Sequence, residues 1–182
     1  MSKTITVSAE PFHFALSAAE RSPALSAEDD AYGWLVGSWQ LDVLRYRSQD
    51  VSARGIQGEV HAGWVLEGQA VQDTWIMPRR GQRTGQMDKN LNMYGTTLRT
   101  WDAAIGAWRI TWDNPAGGDF ERQLGRRIGD DVVQIGARAD GKPTRWRFVD
   151  ITPNSFHWLG EVLNPDGQTW TVEGEFLARR TA

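Results

Sequence analysis

The chain contains no cysteine among its 182 residues. Disulfide bonds, thiolate zinc sites and catalysis by a thiol are therefore excluded, and the composition is compatible with a reducing cytosol. Long apolar runs are also missing, since no segment approaches the roughly 18 apolar residues of a membrane span. Residues 1–10 carry one lysine and no apolar run, unlike a secretory signal. We therefore expect a cytoplasmic protein with no membrane partner.

Strong charge of either sign is missing too, because the net charge is only −3. The paired arginines at 79–80, 126–127 and 179–180 are scattered rather than gathered in a stripe. We expect no nucleic-acid partner. The glycine-rich phosphate-binding patterns and the Gly-x-Ser-x-Gly pattern of serine hydrolases do not occur, and no cofactor is indicated.

Tryptophan, by contrast, is abundant, with ten residues in the chain. Apolar and polar residues alternate over many short segments, and Gly, Asn, Asp or Pro separates these segments. Such alternation is typical of strands with one buried face. It predicts ten strands, at 39–47, 56–66, 70–77, 92–101, 107–113, 119–128, 132–139, 144–151, 155–163 and 169–178.

Short turns between these strands favour an antiparallel up-and-down arrangement. Closure into a barrel is expected, because an open sheet would expose two edges and one apolar face. A helix is predicted at 27–36, where Ser26 and Asp29 resemble a capping box, and we expect it to close one end. Residues 1–21 are predicted to be an arm and residues 22–182 the barrel domain. Alternating apolar residues at 12–16 predict that the arm adds a strand or contacts a neighbour, such as a second copy in a homodimer.

The segment Gly37-Ser38-Trp39 resembles the Gly-x-Trp signature of lipocalin and calycin barrels. In those families the tryptophan closes one end, and an arginine near the last strand lies over its indole. The resemblance implies that Trp39 and Arg179, or its neighbour Arg180, close this barrel by a cation–π contact. The implied fold class is all-β, an antiparallel up-and-down calycin-like barrel of about ten strands with one short N-terminal capping helix.

A closer resemblance, over roughly residues 33–178, is to the uncharacterised bacterial proteins grouped as DUF1579. Its motifs are the Gly-x-Trp opening, Trp64-Val65-Leu66-Glu67-Gly68, and the stretch from Tyr94 to Trp101-Asp102. This group implies a fold and no agreed activity. The haem-binding nitrobindin barrels are similar in shape, but they hold iron through a histidine near the C-terminus. No histidine follows His157 here, so that ligand is not carried over.

Metal binding would require the histidines to meet, and the alternation argues against it. His61 and His157 lie on the faces opposite the aromatic residues of their strands, while His13 lies in the arm. We therefore predict surface histidines and no metal site.

Aromatic residues on one face of several strands predict the interior wall. We expect Trp75, Trp108, Trp146, Phe148, Trp158 and Trp170 to form it. Asp73 shares a face with Trp75, and Arg99 on the next strand is its expected partner. This pair is interpreted either as a structural ion pair, or as a pair that orients a polar ligand or acts as acid and base. Glycines at 160 and 174 share the phase of the wall and indicate space for a bend or a ligand.

Three functions remain open from the sequence. The first is binding of a small hydrophobic or aromatic molecule inside the barrel, with the loop 78–90 over its mouth. The second is an isomerase, cyclase or hydrolase that acts on a hydrophobic molecule in the same cavity. The third is a dimeric interaction module. Large rings suit a packed core and a ligand cavity equally well.

Overall fold

The computed structural model describes residues 9–85 and 87–181. The helical segments are α1 (Ala9–Leu16) and 3₁₀ turns at Gly33–Leu35, Ser52–Arg54, Arg80–Gln82 and Lys89–Leu91. The strands are β1 (Ser17–Ala18), β2 (Gly37–Tyr46), β3 (Gln49–Asp50), β4 (Gln57–Val65), β5 (Ala70–Met77), β6 (Met93–Asp102), β7 (Ala107–Asn114), β8 (Asp119–Ile128), β9 (Asp131–Ala137), β10 (Pro143–Val149), β11 (Ser155–Leu163) and β12 (Trp170–Arg180). Among the residues described, no helix is long and apolar enough to cross a membrane.

Ten of these strands form a closed antiparallel ring. From β4 to β12 each strand pairs with the next, and β2 pairs with both β12 and β4. The two short strands are additions, β1 beside β4 and β3 beside the end of β2. The predicted all-β barrel is confirmed, and β5, β8 and β11 have the predicted bounds.

The predicted helix at 27–36 is wrong, because this segment forms turns and the short 3₁₀ turn Gly33–Leu35. The Asp29 backbone N–H donates to the Ser26 hydroxyl, as in a capping box, and this hydroxyl donates to the Asp29 carboxylate. The Asp30 carboxylate then accepts the backbone N–H groups of Tyr32 and Gly33. These short-range bonds compete with helical ones and turn the chain. The α-helix occurs instead at Ala9–Leu16, within the predicted arm.

The arm adds a short strand, because Ser17–Ala18 pair with β4, but the alternating residues 12–16 are helical. Pro11 is tolerated there because the first helical turn does not use its backbone N–H. Phe12 and Phe14 stay exposed on this helix. The division into arm and barrel domain, and the homodimer, stay predictions.

One end of the barrel is closed by the segment that precedes β2. Tyr32 and Leu35 of this segment are fully buried. Trp34 makes edge contacts with the rings of Trp39, Phe148 and Phe156. The segment therefore closes the barrel as predicted for residues 27–36, although it is not a helix.

Of the two arginines that the resemblance implied, Arg180 and not Arg179 lies over the indole of Trp39. Its guanidinium carbon is 4.0 Å from the ring centre, and it donates hydrogen bonds to the backbone carbonyls of Trp34, Val36 and Pro153. Arg179 pairs with Asp42 and is mostly exposed. The reason is the alternation of strand side chains: β12 continues to residue 180, so buried Ala178 and Arg180 share the inner face.

Replacing Arg180 with alanine is expected to destabilise the fold by about 2–4 kcal/mol, because charge-assisted hydrogen bonds and the stacking on Trp39 are lost together. Arg179→Ala, the neighbouring change on the outer face, should cost less than about 1 kcal/mol. Urea unfolding followed by tryptophan fluorescence measures both. Equal destabilisation by the two variants would contradict the assignment of Arg180 as the closing residue.

Candidate functional site

A cavity of about 600 Å³ occupies the half of the barrel away from the Tyr32–Leu35 segment. It opens between three turns, those that follow β2, precede β8 and follow β9. Its apolar wall consists mainly of rings, from Tyr46, Trp75, Trp112, Trp146, Trp158 and Phe176, and charged residues also line it. The barrel is therefore filled at one end and hollow at the other.

Five of these rings form a continuous arc. Trp112 contacts Trp146 at 6.1 Å between ring centres, and Trp146 contacts Trp158 at 5.5 Å. Trp158 stacks on Phe176 at 4.9 Å with 10° between the planes, and Phe176 stacks on Tyr46. Contiguous rings hold one another in place, so the wall is preformed.

Of the predicted wall residues, Trp75, Trp146 and Trp158 line the cavity. Trp108 and Phe148 are fully buried in the closed end, where both contact Tyr32. They face inward as predicted, but the segment before β2 fills the space in front of them. Sequence alternation gives the inward direction of a side chain and not its depth along the barrel axis.

Trp170 lies on the outer face, not on the interior wall where the sequence placed it. A β-bulge between β11 and β12 shifts the register, so Gly160 pairs with Gly174 but Glu161 pairs with Val172. The extra residue reverses the alternation on the N-terminal side of the bulge. Outside the barrel, the Arg145 guanidinium stacks on the Trp170 ring at 4.4 Å.

Gly160 and Gly174 provide space for a protein ring rather than for a ligand. A Cβ atom on Gly160 would lie 2.6 Å from the Trp158 ring, and one on Gly174 would lie 2.9 Å from it. Both glycines therefore permit the stack of Trp158 on Phe176. The sequence predicted space for a bend or a ligand at these positions, and the Trp158 ring occupies that space.

Asp73 and Arg99 form the predicted ion pair, and both side chains are almost fully buried. Arg99 donates to one carboxylate oxygen of Asp73, and the backbone N–H of Thr97 donates to the other at 3.1 Å. The Arg99 guanidinium also lies 4.9 Å from the centre of the Tyr32 ring. Arg99 lines the inner end of the cavity, whereas Asp73 lies behind it.

A chain of hydrogen bonds leads from this pair toward the mouth. Arg99 Nε and the Tyr32 hydroxyl donate to Gln134 Oε1, at 3.4 and 3.0 Å. Gln134 Nε2 donates to Gln123 Oε1 at 2.8 Å, and Gln123 Nε2 donates to Glu121 Oε1 at 2.7 Å. Every donor points toward Glu121, so its carboxyl group is the final acceptor of the chain.

Glu121 is the residue that sequence reasoning missed. Its side chain is 7% exposed and lines the cavity. Burial raises the pKa of Glu121, and the hydrogen bonds from Thr144 and Gln123 offset this effect only in part. A carboxyl group with a raised pKa in a cavity is a recurrent feature of functional sites.

The pattern of β8 explains the omission. Phe120, Leu124 and Ile128 share a face that alternation would place inside, yet all three are exposed. Register with β7 places Glu121 opposite Trp112 and Gln123 opposite Ile110, on the inner face. The polar residues Glu121 and Gln123 on one face, opposite a face with three apolar residues, are the sequence signal that could have indicated a polar site.

Two ion pairs cross the mouth of the cavity. Arg47, after β2, contacts Asp119 at 2.9 Å, and β2 lies five steps around the ring from β8, on the opposite side. Arg138, after β9, pairs with Glu173 of β12. In the described part of loop 78–90, no residue lines the cavity, and Arg80 pairs with Glu59 of β4 instead.

The histidines lie apart from the cavity. His61 contacts Ser38, Glu59 and Arg80, and His157 contacts Glu175. Within residues 9–85 and 87–181, no group of three or more His, Cys, Asp or Glu side chains is placed to hold a metal ion.

No family model matches the sequence. A search of curated proteins gives no match either. The closed ten-stranded barrel and its cavity therefore stand on the structure alone.

Glu121→Gln and Glu161→Gln remove the same charge and should change stability in opposite directions. The folded state resists ionisation of Glu121, so the stability this carboxyl group gives is complete below its unfolded pKa and lost as the pH rises through the raised folded value. Glu121→Gln should therefore increase the free energy of unfolding at pH 8 more than at pH 4.

Glu161 is the matched control. Burial would raise its pKa, but the hydrogen bonds from Arg145 and Arg147 outweigh burial and hold the pKa below its usual range. Stability from Glu161 is present above its unfolded pKa and lost as the pH falls. Glu161→Gln should destabilise the protein at pH 8 and much less at pH 4. Urea unfolding at both pH values checks the signs, and a loss at pH 8 in both variants would contradict the prediction for Glu121.

Proposed function

We propose that the protein binds one small, flat and largely apolar molecule inside the barrel. The observation that carries this function is the open cavity of about 600 Å³ behind a continuous arc of aromatic rings. Volumes of roughly 300–1,000 Å³ with apolar walls and few polar groups are typical of small-molecule sites.

Rigidity of the wall supports the proposal. The rings pack edge to face or stacked on one another, and they project from strands of a closed ring. Little conformational freedom is therefore left to lose when a ligand enters. Flat surfaces at right angles, such as those of Trp112 and Trp146, favour a planar ligand that stacks on one ring and meets the edge of the next.

Trp146→Ala is expected to weaken the binding of N-phenyl-1-naphthylamine, a flat and neutral fluorescent probe, by about tenfold or more. The physical reason is the loss of a large apolar contact from the middle of the wall. Fluorescence titration of the purified protein measures the dissociation constant, and the wild-type chain should bind one probe molecule.

Trp170→Ala is the matched control, because Trp170 is the tryptophan of β12 on the outer face. Its effect on the dissociation constant should stay within about twofold. Absence of saturable binding by the wild-type chain would refute the proposed function. Equal weakening by the two variants would show that the probe does not bind inside the barrel.

We also propose that the chain is a calycin-like barrel of the DUF1579 type. What supports this is the Gly37-Ser38-Trp39 opening of β2, with Arg180 of the last strand over the Trp39 indole. The resemblance rests on these motifs, since no family model matches.

An enzyme remains the second candidate, and Glu121 is the observation that favours it. Asp73 is bound by Arg99 and Thr97 behind the cavity, whereas Glu121 reaches the cavity with a raised pKa, as a general acid requires. Hydrolysis of 2-naphthyl acetate tests this alternative. A rate that Glu121→Gln lowers about a hundredfold or more would support an esterase. If the wild-type protein and the Glu121→Gln variant hydrolyse the ester at the same rate, that result would count against an esterase.

A further inference from the structure

Glu121 differs from every other charged residue of the cavity in its surroundings. Each other charged lining residue has an oppositely charged side chain within 4.0 Å, and the mouth pairs Arg47–Asp119 and Arg138–Glu173 are examples. Glu121 has none among the described residues, and its partners are the neutral side chains of Thr144 and Gln123.

One of its two carboxylate oxygens is free to meet a ligand. Thr144 and Gln123 both donate to Oε1, and no described residue donates to Oε2. The hydrogen-bond chain from Arg99 also ends on Oε1. The protein thus holds the carboxyl group from one side and leaves the other side toward the cavity.

Aromatic rings flank this carboxyl group. Trp112 is the residue directly opposite Glu121 on the neighbouring strand. Trp146 lies two residues beyond Thr144, whose hydroxyl donates to Glu121, on the same face of β10. The two indoles are nearly perpendicular, with 6.1 Å between their centres. Indole faces attract cations, and a carboxylate beside them adds an opposite charge.

We propose that the ligand is a flat aromatic molecule that carries a protonated amine, and that its ammonium group binds Glu121 beside the indoles of Trp112 and Trp146. This inference rests on the proposed function, because it concerns the same cavity. The ammonium group supplies the positive charge that no described side chain brings into contact with Glu121. The aromatic part of the ligand contacts the other rings of the aromatic arc.

The electrostatics of the site agree with this assignment. Burial raises the pKa of Glu121, which is the expected state of a carboxyl group that lacks a cation. Arg138 and Asp119 act on Glu121 in opposite directions, and each is already paired across the mouth. A bound ammonium group would favour the ionised carboxylate and lower its pKa again.

Three probes that share one ring system test the inference: 2-naphthylmethylamine, 2-naphthalenemethanol and 2-naphthoate. They are a cation, a neutral molecule and an anion at pH 7.5. Calorimetric titration of the full chain should show the amine binding at least about tenfold more tightly than the alcohol, and the anion most weakly. Glu121→Gln should reduce the preference for the amine over the alcohol to within about twofold.

The control is Asp130→Asn, which removes one negative charge from the exposed turn at the other end of the β8–β9 hairpin. It should keep the preference for the amine. Equal affinities for amine and alcohol in the wild-type chain, or a preference that survives Glu121→Gln, would overturn the ammonium assignment while leaving cavity binding intact. Failure of all three probes to bind would instead count against the proposed function itself.

Discussion

The interior of a closed barrel widens with the number of strands, and this barrel has ten. Its own side chains therefore fill only part of the interior. The segment before β2 fills one end: Tyr32 and Leu35 enter the ring completely, and Trp34 packs against the rings beneath it. Arg180 then fixes this segment, because it binds the carbonyls of Trp34 and Val36 while it stacks on Trp39. The cavity occupies the part of the barrel interior that this segment does not fill.

The polar interior follows from the same closure. Arg99 lies at the boundary between the filled end and the hollow end, where it is cut off from water. A buried guanidinium must be compensated, and Asp73, Gln134 and the face of Tyr32 together do so. From Gln134 the hydrogen bonds continue through Gln123 to Glu121. Among the described residues that line the cavity, Glu121 is therefore the charged group at which this network ends without an oppositely charged side chain.

Much of the fold could be predicted because alternation of apolar and polar residues is a local property. The strand bounds, the meander and the inward direction of Trp75, Trp146 and Trp158 all follow from it. The Asp73–Arg99 pair could be predicted as well, since both residues share the phase of the aromatic wall on adjacent strands. Glu121 could not, because its strand carries apolar residues on the outer face and so reverses the usual pattern.

The sequence by itself determined an antiparallel barrel with tryptophans inside, since strand period and turn residues need no knowledge of distant contacts. Only the tertiary structure decided which residues meet. A one-residue bulge places the Trp170 side chain outside the barrel. The alternation at the end of β12 places Arg180, and not Arg179, over the Trp39 indole. The segment before β2 fills the barrel to a certain depth along its axis. That depth decides that Trp108 is buried in the closed end and that Trp112 lines the cavity. Strand register, bulges and the depth to which the barrel is filled depend on contacts between residues far apart in the sequence. The local alternation of apolar and polar residues does not predict them.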